Sequence, residues 1–124
     1  MEELYNLLTD EEMKELLELN EKIKEENNND IIYKINILRQ LNCSDRVIKN
    51  VLISNSDYLT RLNGDITKLI KKLIDIGIND LNIVFDTYPY LLNKDSFEID
   101  EYIKERINAG EFLEDIINDL DSRP

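Results

Sequence analysis

The apolar stripe Tyr33, Ile37 and Leu41 returns 33 residues later as Ile66, Ile70 and Ile74, and again as Ile99, Ile103 and Ile107. Steps of four residues are what any amphipathic helix shows, so one stripe alone says little. The constant offset says more, because it marks one helical unit used repeatedly. Ser44, Gly77 and Gly110 share a position just past each stripe, where a small residue suits the left-handed backbone of a helix C-terminus. Val51, Val84 and Ile117 fall in a second, shorter helix, and Leu59 and Leu92 close the first two units. Units are expected over about 30–63, 64–96 and 97–124, behind an acidic helical cap at 1–29. A single helix pair cannot bury its own apolar face, so such units stack. The expected fold is all-α: a short α-solenoid of about three 33-residue helix-turn-helix repeats with an N-terminal helical cap.

Composition agrees with helix: the 124 residues include only two Pro and three Gly. Thr9-Asp10-Glu11-Glu12 has the form of a capping box opening a helix over about 10–26, with Met13, Leu16, Leu17, Leu19 and Ile23 on one broad face. Asn27-Asn28-Asn29-Asp30 is expected to stop that helix, since Asn and Asp compete for backbone hydrogen bonds. The 27 acids against 15 bases give a net charge of -12. That charge is uneven: -8 over 1–30, +3 over 31–64, -1 over 65–97 and -6 over 98–124.

Several function classes are excluded by what is missing. With no His and only Cys43, the chain cannot assemble an imidazole or thiolate zinc site or an internal disulfide. Asp10, Glu11 and Glu12 lack the spacing of a calcium loop. No imidazole, activated nucleophile or Gly-rich phosphate loop is present, so a non-catalytic protein without a cofactor is expected. No apolar run nears the roughly 20 residues of a membrane helix, and the start Met1-Glu2-Glu3 is the reverse of a basic leader. A cytoplasmic protein is the expectation. The abundance of Ile, Asn, Lys and Asp fits an A+T-rich bacterial or phage genome.

The second unit carries the most specific pattern. It reads Leu73-Ile74-Asp75-Ile76-Gly77-Ile78, a short helix through Val84 and Phe85, then Tyr88-Pro89-Tyr90-Leu91-Leu92. A leucine-rich helix end, Gly-Ile, a short helix and aromatic-Pro-x-Leu-Leu together resemble the repeat of the mitochondrial transcription termination factor (mTERF) family. The first unit departs from it, with Ser44 for the Gly and Ser56 for the Pro, and the third ends before a Pro-Leu-Leu element. The resemblance implies paired helices with a short 3₁₀ helix per repeat, and nucleic-acid binding through a basic concave surface. The residues available for that are Lys34, Arg39, Arg46, Lys49, Arg61, Lys68, Lys71 and Lys72.

Phosphate binding needs clustered cations, and a strongly acidic chain repels a polyanion beyond any local patch. Solvated helix faces are therefore the favoured reading of those bases. The favoured function is a non-catalytic binding module for a protein partner, one of basic character, met through the aromatics and charges Tyr58, Arg61, Tyr88 and Tyr90, which are expected at the surface. Nucleic-acid binding and an acidic mimic of nucleic acid remain as alternatives. Tyr88–Leu92 itself reads first as a packing turn, Cys43 as a small buried hydrophobe, and helix 10–26 as a solvated cap that anionic lipid would repel.

Overall fold

The computed structural model describes residues 2–122. Eight α-helices and three 3₁₀ turns follow one another, with no strand among the described residues. The helices are α1 (Glu2–Leu7), α2 (Asp10–Leu19), α3 (Asn28–Gln40), α4 (Asp45–Ser54), α5 (Asn63–Asp75), α6 (Leu81–Thr87), α7 (Ser96–Asn108) and α8 (Leu113–Ser122). The 3₁₀ turns, Glu21–Glu25, Ser56–Thr60 and Pro89–Asn93, follow α2, α4 and α6. Among the described residues no helix is long and apolar enough to cross a membrane.

The starts of these helices are written locally. The Thr9 hydroxyl accepts from the Glu12 amide at 3.2 Å while the Glu12 carboxylate accepts from the Thr9 amide at 3.0 Å, closing the expected capping box. Ser44 and Asp80 cap α4 and α6 in the same way, each accepting from the amide three residues on. The helix expected over 10–26 stops earlier, at Leu19. Asn20 leaves the helical conformation and its side chain accepts from the Lys22 amide, which opens the first 3₁₀ turn. The Asn27–Asp30 run starts a helix instead of ending one: α2 has already stopped at Leu19, and the Asn27 side chain caps α3 through the Asn29 amide.

The three long helices end alike. Asn42, Gly77 and Gly110 have φ of 63°, 101° and 88°, and the next residue in each case, Cys43, Ile78 or Glu111, donates its amide back to the carbonyl of Leu38, Leu73 or Arg106. This is the Schellman closure. The left-handed residue of the first unit is therefore Asn42 and not Ser44, which is the N-cap of α4. Asn tolerates this conformation better than most residues because its short polar side chain bonds locally. Nothing lies within 4 Å of a Cβ built on Gly77, so its constraint is the backbone angle alone. Gly77→Ala is expected to lower stability by about 1 kcal/mol, read as a shift in the urea midpoint at unchanged slope.

The new register changes which face is buried. In α5 and α7 the expected residues Ile66, Ile70, Ile99 and Ile103 are in the core. In α3 the matching residues are Ile31 and Ile35, both fully buried, whereas Tyr33 is 47% exposed. Tyr33, Ile37 and Leu41 instead line a shallow cleft between α3 and α5 with Ile70 and Ile74. The interval from first to second long helix is thus two residues longer than the sequence stripes imply.

The same 35-residue interval links the segment before α3 to the first pair. Thr9 and Ser44 are N-caps, α2 and α4 have ten residues each, Asn20 and Asn55 are C-caps, and Ile23 and Tyr58 are the buried third residues of the 3₁₀ turns that follow. The segment before α3 therefore has the order of elements found downstream, but its leading helix, α1, has only six residues.

Packing sorts the elements into rows. The long helices pack in sequence, α3 on α5 on α7; the short ones pack α2 on α4 on α6; the three 3₁₀ turns lie side by side. Buried Asn side chains tie each turn to the next. Asn20 donates to the Ser56 carbonyl and the Thr60 hydroxyl. Asn55 donates to the Pro89 carbonyl at 3.1 Å and accepts from Asn93 at 2.6 Å. Leu59, Leu91 and Leu92 are fully buried beneath these bonds, so Tyr88–Leu92 is the packing turn that the sequence indicates.

Candidate functional site

The expected basic surface is largely taken up by internal pairing. Lys34 is 2% exposed, and burial pushes its ammonium below the ordinary lysine range against the opposing pull of Glu26 and Asp30. Its counterpart in α5 is Leu69, also in the core. Lys34→Leu keeps the apolar stem and removes a poorly solvated charge. It is expected to raise stability by up to about 1 kcal/mol at pH 7, measured by thermal unfolding. The lowered amine gives the sign with pH: the unfolded chain binds this proton more strongly, so the penalty fades as pH rises through the alkaline range.

Arg39 pairs with Glu3 and with Asp45 at 3.6 Å, Arg46 with Asp86 at 3.1 Å, Lys49 with Glu12 at 2.7 Å, and Lys72 with Asp100 at 3.5 Å. The Lys49 bond, with the Thr9 amide, holds the Glu12 carboxyl below its usual range. Lys68 and Lys71 are exposed, beside Lys72 and Asp75 in a small cleft at the start of α7. Most of these bases fasten one helix pair to the next, and only Lys68, Lys71 and Lys72 gather in one cleft.

The four expected partner contacts also separate. Tyr58, expected at the surface, is fully buried, and its hydroxyl donates to the Lys34 carbonyl at 2.6 Å. It occupies the plug position of its 3₁₀ turn, held in the other two turns by Ile23 and Leu91. Arg61 is turned inward, donating to the carbonyls of Leu92 and Lys94. Tyr90 is 45% exposed and its amide donates to Asp121 on α8. Tyr88 is half-buried and lines a groove that sequence reasoning missed. Cys43 is buried, and its thiol is pushed up to about 11 first by burial and then by Asp80, which makes it inert.

The groove lies between α6 and α8, with a volume of about 470 Å³. α6 has seven residues where α4 has ten. Leu81 and Phe85 anchor it in the core. One flank is fastened to the preceding pair: Asn82 accepts from the Ser44 amide, and Asp86 takes Arg46 and Asn50. Ile83, Val84 and Thr87 stand on the other flank and line the groove. α8 is held elsewhere, on α7 and the third 3₁₀ turn, through the bonds of Tyr102 to Asp119 and of the Tyr90 amide to Asp121. Leu113 and Ile117 form its groove wall, and Ile78 and Tyr88 lie at the base. Asp80 and Glu114 supply the charge in the lining. Ile83 is 60% exposed and Phe112, at the start of α8, is 77% exposed. The signals in the sequence were the shortened second helix after Gly77 and an isoleucine, Ile83, off the buried face of α6.

The groove has apolar walls with carboxylates at its edge, a composition that suits an interface. No protein-family model, no curated protein and no solved structure matches this chain.

Proposed function

We propose that this chain is a short α-solenoid of helix-turn-helix units, with residues 2–27 as a leading unit whose first helix is short, and that it acts as a non-catalytic binding module for a protein partner. The observation that carries this reading is the apolar groove between α6 and α8, where Ile83, Leu113 and Tyr88 line a surface that is left open among the described residues. Recurrent N-caps, left-handed helix ends and buried Asn bonds support the repeat description. The mTERF resemblance remains a proposal for the origin of the repeat. Its nucleic-acid function is the weaker reading, because Arg39, Arg46, Lys49 and Lys72 are already paired with acids.

The test is capture of partners from source lysate with and without nuclease, beside a gel shift with DNA and RNA at low salt. Nuclease-resistant protein capture that is lost in Ile83→Ser, with no gel shift, supports the module. A gel shift abolished by Lys68, Lys71 and Lys72→Glu would replace it with nucleic-acid binding. Capture destroyed only by charge reversal in 10–26 or 111–121, with Ile83→Ser harmless, would favour the acidic mimic.

A further inference from the structure

We infer that the α6–α8 groove seats a basic amphipathic helix of the partner, its apolar residues down against Ile83, Val84, Leu113 and Ile117 and its Lys or Arg residues along both edges. The inference rests on the binding-module reading above and names the occupant. The argument begins with charge. The two walls, taken as 79–87 and 111–122, carry Asp80, Asp86, Glu111, Glu114, Asp115, Asp119 and Asp121 and not one Lys or Arg. Asp86 and Glu111 are neutralised by Arg46 and Arg106, and Asp119 bonds to Tyr102. Asp80 and Glu114 face the groove itself. An acidic occupant would meet like charge at the rim, whereas a basic one gains complementarity and faster encounter. A second copy of the chain is disfavoured by the same charges, since each copy carries -12.

Shape selects a helix. At about 1.5 Å per residue, α6 and α8 are roughly 10 and 15 Å long, the reach of two to three helical turns. Ile83 and Val84 on one wall and Leu113 and Ile117 on the other present two apolar rows. A helix with apolar residues at i, i+3, i+4 and i+7 fills such a trough. Its flanking Lys or Arg stems then lie over Thr87 and Leu113 while their charges reach the rim.

The experiment uses three synthetic peptides of about fourteen residues. One carries Leu at helical spacing among Lys, the second has Glu in place of Lys, and the third scrambles the first. Binding is followed by fluorescence anisotropy and by amide chemical shifts of the whole chain. The patterned basic peptide is expected to bind at least about tenfold more tightly than its scramble, with shifts centred on 78–88 and 113–117, and the Glu peptide is expected not to bind. Ile83→Ser, at an exposed position that leaves the fold intact, is expected to weaken binding about tenfold. Asp80→Asn with Glu114→Gln keeps the α6 cap and is expected to flatten the salt dependence. Equal binding of patterned and scrambled peptides, shifts centred elsewhere, or indifference to Ile83→Ser would overturn the inference. If the peptides fail while lysate capture still yields a nuclease-resistant protein lost in Ile83→Ser, the module stands and only the basic helical occupant falls.

Discussion

Tyr58→Ala is expected to cost about 4 kcal/mol and to lower the thermal midpoint by roughly 10–20 °C. Tyr58 is fully buried in the middle 3₁₀ turn, next to the turns on either side. The substitution removes a whole ring from a packed site, and the cavity adds to the lost transfer energy. It also strips the Lys34 carbonyl of the phenol bond. A series separates the two contributions. Tyr58→Phe keeps the ring and loses the hydroxyl, for about 1–1.5 kcal/mol. Tyr58→Leu copies the residue at the same place in the third turn, Leu91, and should fall between Phe and Ala. Chemical denaturation of the three variants measures this order. A Tyr58→Ala protein within about 1 kcal/mol of the parent would mean that the phenol does not plug the core.

The second large effect is at Asn55. This residue is 2% exposed, and its side-chain amide bridges two consecutive turns, donating to Pro89 and accepting from Asn93. Asn55→Leu keeps the branching and heavy-atom count but leaves the donor on Asn93 and the Pro89 carbonyl without their partner, at about 2–3 kcal/mol. The equivalent Asn20 makes its bonds in a less buried place, so Asn20→Leu should cost about half as much. A double-mutant cycle of Asn55→Ala with Asn93→Ala should show a coupling of about 0.5 kcal/mol or more. Additive costs would mean that the inter-turn bond contributes nothing.

These sites show where sequence was a good guide and where it was not. The Thr9 capping box, the left-handed Gly77 and Gly110, and the buried Leu91 and Leu92 were all legible, because each depends on residues within a few positions. The face of α3 was not. Ile31, Ile32, Tyr33, Ile35, Ile37, Leu38 and Leu41 run around much of that helix, so a four-residue step fits more than one face. Packing against α4 and α5 chooses Ile31 and Ile35 and leaves Tyr33 half in solvent. Tyr58 and Lys34 were assigned to the surface by residue type, yet the phenol finds a backbone acceptor and the lysine stem fills a leucine position. The groove depends on α6 being three residues shorter than α4 and on α8 docking against α7 and the third turn.

By itself, then, the sequence determined an all-helical chain, its caps and turns, and a charge that is acidic at both ends, because backbone angles, capping bonds and ionisation are set by residues close together in the chain. The tertiary structure alone decided the register of the first unit, the burial of Tyr58 and Lys34, the pairing of most central bases, and the open face between α6 and α8. Those depend on which surfaces meet across 24 or more residues of chain, and apolar area, being non-directional, does not specify its partner until the helices are packed.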